Sequence, residues 1–315
     1  MNASIALIGG RGYVGEALLQ LILRHPRMEL AWVSSRSLAD RRICSVYPEL
    51  PSDMAFELVT PEMLSERAAD VVVLAMPNQM ASDYVRQLDP TQKVIDLSAD
   101  YRFDDTWVYG LPERNREQLR GAMRVSNPGC YATAIQLAVA PLLRDICGPP
   151  VAFGVSGYSG AGRTPSARND PDRIRNNFLP YSLTGHVHES EVSHHLQQQT
   201  YFLPHVAEFF RGISVTLSVT LARETSTEEL LQIYERHYSD DRLIEIAKEI
   251  PEISNVAQQP TALIGGFGVD ARDGRHVCLV ACIDNLLKGA ASQAMQNMNL
   301  MLDFDEFAGV MSATE

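Results

Sequence analysis

The sequence predicts an α/β fold in which a doubly wound parallel sheet is followed by an α+β domain with a largely antiparallel sheet. Three observations carry that expectation. Short apolar runs at residues 5–8, 29–33, 71–75, 94–97 and 123–125 alternate with helical spacing, the order of a buried parallel sheet wound by helices. A glycine turn, Gly9-Gly10-Arg11-Gly12-Tyr13-Val14-Gly15, joins the first run to the first helical stripe. From about Val151 the period becomes two: residues 213–221 alternate apolar and hydroxyl side chains, as a half-exposed antiparallel strand does.

The first helix is marked by Val14, Leu18, Leu21 and Ile22 and is stopped by His25-Pro26. Strand, glycine turn and helix in that order are the context of a Rossmann-type dinucleotide site, with a plain tight turn as the alternative. Glycines let a pyrophosphate approach the backbone, and the N–H groups of the helix start hold it. The spacing is Gly-x-x-Gly-x-x-Gly, so Gly9, Arg11, Gly12, Tyr13, Val14 and Gly15 are the expected cofactor loop. The second strand runs into Ser34-Ser35-Arg36-Ser37. NAD-preferring proteins usually carry an acidic residue there for the ribose 2′-hydroxyl. Hydroxyls and a guanidinium suit a 2′-phosphate, so Ser34, Ser35 and Arg36 predict NADP(H). A solvated loop charge is the alternative for Arg36.

At 315 residues the chain can bury two cores. A net charge of −12 without a basic block argues against nucleic acid and anionic membranes. Five cysteines without a C-x-x-C pair predict a reducing compartment rather than a disulfide framework, and no metal site is expected. No signal peptide precedes the first strand and no apolar run reaches membrane-spanning length, so the expected setting is the cytoplasm. Cys278 and Cys282, four apart on one strand, are expected to face one side as core filler.

Cys130 is the residue with chemistry in view. It follows a Pro128-Gly129 turn and opens a helical stretch, Tyr131, Ala134, Ile135, Ala138 and Val139. A thiol in the first turn of a helix meets the positive end of the dipole, which favours the thiolate nucleophile. A small buried hydrophobe is the alternative.

Further along, Ser226-Thr227-Glu228-Glu229 reads as a capping box opening a helix through Tyr238. A last helix, residues 287–302, carries Leu287, Ala291, Ala294, Met298, Met301 and Leu302 on one side and is expected to return to the first domain. Residues 163–177 hold four arginines and few apolar side chains, the pattern of a long mobile loop.

The glycine loop together with Asn127-Pro128-Gly129-Cys130-Tyr131-Ala132-Thr133 resembles the N-acetyl-γ-glutamyl-phosphate reductases of arginine biosynthesis. Further blocks follow in family order: Asp96-Leu97-Ser98-Ala99-Asp100-Tyr101-Arg102, Tyr109-Gly110-Leu111-Pro112-Glu113, residues 156–163, Gly185-His186-Val187-His188-Glu189-Ser190-Glu191, Pro204-His205 with Arg211-Gly212, and Asp284-Asn285-Leu286-Leu287-Lys288-Gly289. Arg11, Val187 and Ser190 depart from the family pattern. The resemblance implies NADPH-dependent reductive dephosphorylation of an acyl phosphate through a thioester on Cys130. It makes His186 the first choice for the proton-transfer partner and His188 the second, with a place among the substrate contacts. Arg102, Arg163 and Arg211 are the implied cationic clamps for phosphate and carboxylate. Glu191 either orients an imidazole, binds substrate or is simply a helix-start acid. Ser159, Gly160 and Asn285 are implied for the nicotinamide half. The implied organisation is an NADP-binding domain, residues 1–129 with 286–315, and a catalytic and oligomerisation domain, residues 130–285, assembling as a homo-oligomer. Aminoadipyl-phosphate reduction in lysine biosynthesis is the nearest alternative. A nucleotide-free cysteine acyltransferase or hydrolase and a non-enzymatic NADPH-binding regulator are the rivals from other classes.

Overall fold

The computed structural model describes residues 2–311. In chain order the first stretch holds β1 (Ala3–Ile8), α1 (Tyr13–Arg24), β2 (Met28–Ser34), α2 (Ile43–Val46), β3 (Phe56–Glu57), β4 (Val71–Leu74), α3 (Ala81–Val85), β5 (Lys93–Asp96), β6 (Val108–Tyr109), α4 (Pro112–Leu119) and β7 (Arg124–Ser126). The second stretch holds α5 (Cys130–Val139), β8 (Val151–Gly157), α6 (Pro171–Ile174), β9 (Phe178–Pro180), α7 (Val187–Leu196), β10 (Tyr201–Ala207), β11 (Ile213–Thr220), α8 (Thr227–His237), β12 (Ile244–Ile246), α9 (Ile253–Val256), β13 (Ala262–Val269) and β14 (His276–Ile283). A π-helical turn, Leu287–Ala291, leads into α10 (Ser292–Met301). Two compact units result: Met1–Gly129 with Ala290–Glu315, and Cys130–Gly289. The returning segment thus starts at Ala290, four residues later than the sequence boundary at 286.

The first unit is built on a seven-stranded sheet of order β3-β2-β1-β4-β5-β7-β6, parallel throughout. Its strands are nearly all apolar because both faces are covered. Ile5, Leu7, Val33, Val73 and Ile95 pack with Leu18, Leu19 and Ile22 of α1 and with Met295 and Met298 of α10. Ala6, Ile8, Val72, Leu74 and Val94 point the other way, onto Leu64, Ala81 and Leu88. Each fully buried Leu, Ile or Val contributes about 1.5–3 kcal/mol relative to exposure. Strand order reverses between β1 and β4, and the crevice outside the carboxyl ends at such a switch point is where this architecture takes ligands.

Helix α10 corrects one expectation. The sequence gives it a single apolar side, but every residue from Ser292 to Met301 is buried. The amide groups of Gln296, Asn297 and Asn299 are tolerated there because each donates to a partner. Asn297 Nδ2 donates to Gly110 O at 2.9 Å and Asn127 Oδ1 at 3.0 Å. Gln296 Nε2 donates to Glu306 at 2.9 Å, and Asn299 Nδ2 donates to the carbonyls of Glu306 and Ala308.

The second unit carries a mixed seven-stranded sheet of order β12-β13-β14-β11-β8-β10-β9. The β8–β10 and β12–β13 pairs are parallel and the other four antiparallel. One face is the core, where Val215, Leu217 and Val219 of β11 meet Val277, Leu279 and Ala281 of β14 in register. Helix α5 is fastened over it by Tyr238, whose hydroxyl donates to Leu137 O at 2.6 Å, and by Tyr234, whose hydroxyl donates to Ala138 O. The opposite face leaves Phe153, Tyr201 and Leu203 exposed. Cys278 and Cys282 share that outer face by period two, so Cys278 is not core filler: it is half-buried opposite Ser218. Cys282 is buried nonetheless, beneath Pro251.

Two further sequence expectations change in detail. Ser226 caps α8 by accepting the Glu229 N–H at 3.1 Å, but Glu229 turns its carboxylate to Arg223 and Thr225, so the box is only half made. The stretch expected as one long loop contains α6, and Asn169 ties it by donating to Gly162 O and Thr164 O and accepting from Ser166.

Candidate active site

The glycine turn leaves β1 through Gly9, whose φ of +97° is left-handed and whose Cβ, if present, would lie 2.1 Å from Ala75 O. Gly15 brings α1 onto the turn, since a Cβ there would sit 2.4 Å from Gly9 O. The Gly9 and Gly10 N–H groups donate to Ser34 O, which ties the turn to the end of β2. Tyr47, a residue without any sequence signal, donates its hydroxyl to Gly10 O at 3.1 Å and Arg11 O at 3.2 Å. Gly12 differs from its neighbours: a Cβ there would meet nothing nearer than 3.6 Å. It is the N-cap of α1 and makes no side-chain cap, so the open space lies directly at the positive end of a twelve-residue helix. That combination fits a pyrophosphate.

Around it, Val14 is half-buried on the core and Tyr13 is half-buried in the first turn of α1, while Arg11 is exposed. Ser34 and Ser35 are buried, and Ser34 Oγ accepts the Val59 N–H at 3.1 Å. Arg36 is exposed, and its charge reaches the Tyr84 phenol. At the neighbouring strand ends, Asp100 accepts the N–H groups of Gln79 and Ala81, closing the start of α3. Asp96 is fully buried, and the loss of hydration pushes its carboxyl up to about 6 against the pull of Ser98. Arg102 is buried as well. It donates Nε to Asn127 O and Nη2 to Leu97 O, both at 2.9 Å, so it braces the turn that leads into Cys130.

Cys130 is the first residue of α5 and is half-buried. Gly289 passes beside it, its own N–H donating to Asp284 O at 2.9 Å. Tyr131, next in sequence, is buried, donates its hydroxyl to His205 O at 2.6 Å and packs edge-on to Phe202. Tyr181 was not found from the sequence, and neither was Arg168. The Tyr181 hydroxyl is pushed up to about 12 by burial and by negative charge on Cys130, against the opposing effect of Arg168. The Arg168 guanidinium lies 5.0 Å from the Tyr181 ring centroid.

His186 is the N-cap of α7, and its Nδ1 accepts the His188 N–H at 3.1 Å. Its ring stands edge-on to Tyr181, His188 and Phe202, with centroids 5.5, 4.8 and 5.2 Å away. Burial first, and the Arg168 charge second, push the imidazole down to about 4. Glu189 anchors this helix start, accepting the N–H groups of Phe202 at 2.9 Å and Gly185 at 3.3 Å. Glu191 is fully buried on α7, and Arg163 is half-buried after the Ser159-Gly160 turn.

Two expected ligand contacts are engaged within the protein. Arg211 presents its fork to Asp284, Nε to Oδ2 at 2.6 Å and Nη2 to Oδ1 at 2.9 Å. Asp284, fully buried, also accepts the N–H groups of Gln258, Leu286 and Leu287. Arg211 therefore holds the turn that places Gly289. Asn285 accepts the Gly212 N–H at 2.6 Å and donates to Ser159 Oγ at 2.9 Å, which fixes the Ser159 hydroxyl beside Gly160.

Residues 4–122 match the family described as semialdehyde dehydrogenase, NAD binding domain, and residues 130–285 match semialdehyde dehydrogenase, dimerisation domain. A nicotinamide cofactor and a small-molecule substrate go with that family. N-acetyl-gamma-glutamyl-phosphate reductase of Stenotrophomonas maltophilia is 45% identical over 310 residues, 98% of each chain, and that of Xanthomonas axonopodis pv. citri is 47% identical over the same share. Protein arg-6, mitochondrial, of Neurospora crassa is 44% identical over 98% of this chain and 36% of its own length. Among solved structures, aspartate semialdehyde dehydrogenase II of Vibrio cholerae has the same fold at a TM-score of 0.77 and 16% identity, covering 96% of this chain and 99% of that one. A probable aspartate-semialdehyde dehydrogenase from Pseudomonas aeruginosa gives 0.78 at 19%, over 96% and 99%. The chain belongs to the N-acetyl-γ-glutamyl-phosphate reductases, a branch of the semialdehyde dehydrogenases.

Proposed function

We propose that this enzyme reduces N-acetyl-γ-glutamyl phosphate to N-acetylglutamate 5-semialdehyde with NADPH, through a thioester on Cys130, in arginine biosynthesis. The observation that carries the reading is Cys130 at the head of α5 in the Asn-Pro-Gly-Cys turn, within a chain 45% identical over its length to relatives of that name. Those relatives favour the glutamyl substrate over the aminoadipyl one.

The Cys130 sulfur attacks the γ-carbonyl, the C–S bond forms, and the C–O bond to phosphate breaks with its electron pair leaving on phosphate. Bound NADPH supplies the hydride that takes the acyl carbon to the aldehyde level. The C–S bond then breaks, the pair returns to sulfur, and the semialdehyde leaves. Cys130 and His186 form the catalytic pair. Arg102, Arg163, His188 and Glu191 contact substrate. The loop of Gly9, Arg11, Gly12, Tyr13, Val14 and Gly15 holds the pyrophosphate, Ser34, Ser35 and Arg36 hold the 2′-phosphate, and Ser159 with Gly160 meets the nicotinamide. Residues 130–285 also carry the homo-oligomer contact, for which the exposed Phe153, Tyr201 and Leu203 of the outer sheet face are suited.

The test runs the reaction backwards. Semialdehyde, NADP and inorganic phosphate should yield NADPH absorbance that depends on phosphate, and phosphate independence removes the acyl-phosphate chemistry. Cys130→Ser should bind the cofactor normally but lose more than about 10³-fold in kcat. Retained turnover would reassign the nucleophile.

A further inference from the structure

We propose that His186 acts on the acyl group as a neutral hydrogen-bond donor through Nε2–H and does not take a proton from Cys130. The inference rests on the thioester reading above and specifies the role of its histidine. Its basis is the cap. The partner of His186 Nδ1 is a backbone N–H, that of His188, at 3.1 Å. Only an unprotonated ring nitrogen accepts such a bond, so the single proton of the neutral imidazole resides on Nε2. Taking up a second proton would place N–H against N–H and undo the cap of a ten-residue helix whose positive end already opposes a cation.

The surroundings agree from every side. Arg168 adds positive charge. Tyr181 stands edge-on to the ring, its phenol protonated and sensitive to charge on Cys130, which ties His186 and the sulfur into one neighbourhood. Phe202 of β10 supplies an apolar wall. The Glu189 carboxylate, in the first turn of α7, is engaged by the N–H groups of Gly185 and Phe202. The proton-transfer role expected from the sequence therefore has no lone pair to work with.

The proton balance does not need one. A thiolate attacks, phosphate departs with the electron pair and takes the one proton the cycle consumes, and the sulfur leaves again as thiolate. What the carbonyl oxygen does need, at each tetrahedral stage, is a fixed donor against its developing negative charge. Nε2–H is such a donor, and the ring pays no protonation to become one.

Nitrogen NMR on the whole enzyme labelled at histidine, with His186→Asn used to identify the signal, reads the tautomer directly. A neutral ring protonated on Nε2 from roughly pH 6 to pH 8 is expected. A proton on Nδ1, or a titration at the ordinary histidine value, overturns the proposal whether or not the enzyme turns over. The second arm is Cys130 alkylation by iodoacetamide as a function of pH. Its midpoint should be the same in the wild type, His186→Gln and His186→Ala, because no proton passes from sulfur to the ring. A midpoint that rises on removing the ring makes His186 the base. In turnover, His186→Ala should lose about 10²-fold in kcat, and His186→Gln, whose amide N–H reaches the Nε2 position, should recover roughly tenfold of it. Equal loss in both variants contradicts a donor role.

Discussion

Gly289 runs so close to Cys130 that a Cβ on Gly289 would lie 2.8 Å from the Cβ of Cys130. The nearest atoms are Cys130 Cβ, then Asp284 O and Cys130 Cα; those of Cys130 are tethered to α5 and cannot swing aside as a flexible side-chain end would. Gly289→Ala should therefore displace the sulfur by some tenths of an ångström while leaving the fold intact. Misplacement of a reacting group on that scale costs up to about 10²-fold in rate. A steady-state assay should show kcat falling with cofactor affinity unchanged, and an unaltered kcat would mean the helix start yields freely.

The Arg211–Asp284 pair gives a stability prediction. Asp284 is fully buried and Arg211 is its one salt-bridge partner among the described residues. Arg211→Leu would leave a buried carboxylate with three N–H donors but no countercharge, at a cost of about 3 kcal/mol. Denaturant melts of the variant should show that loss. The double variant Arg211→Leu/Asp284→Asn should recover part of it, and no recovery would show that packing around the Arg211 stem dominates.

On the proposed function, cofactor choice is made at the end of β2. Replacing the exposed Arg36 by Asp would then exchange the proposed 2′-phosphate partner for a repelling charge. The ratio of kcat/KM for NADPH over NADH should fall by at least about tenfold. An unchanged ratio would place the 2′-phosphate on other residues.

Asp96 sets a pH dependence of stability. Its folded value of about 6 lies above the ordinary 3.8, so the folded protein keeps a proton that the unfolded chain releases. The group's contribution is complete below the unfolded value and is lost as pH rises through the folded one. Asp96→Asn, neutral at every pH, should therefore gain on the wild type by about 1–3 kcal/mol between pH 4 and pH 7. Parallel melting curves across that range, with a constant difference, would show that Asp96 titrates normally.

The sequence fell short where partners lie far apart along the chain. Helix α10 looks one-sided because a stripe of Ala and Met is visible, yet Gln293, Gln296, Asn297 and Asn299 are equally buried. No periodicity announces that Gly110, Asn127 and Glu306 will bond three of them. Arg211 and Asn285 are implied as ligand contacts only by the family blocks they lie in, and no local pattern announces that Asp284, Gly212 and Ser159 bond them here. Tyr47, Arg168 and Tyr181 carried no local signal at all.

What the sequence determined by itself is everything local in origin: the buried strands from their apolar runs, the tight turn between β1 and α1 from its glycines, and Cys130 at a helix start from the Pro-Gly before it. Those follow from backbone sterics and short-range periodicity. The tertiary structure alone decided which hydrogen-bonding groups would be used up inside the protein. It gave Arg211 to a buried carboxylate, an acceptor lone pair of Ser34 Oγ to the Val59 N–H, and one nitrogen of His186 to the helix it caps. A donor or an acceptor serves chemistry only with the capacity that folding leaves over, and that remainder is set by neighbours the chain brings in from a distance.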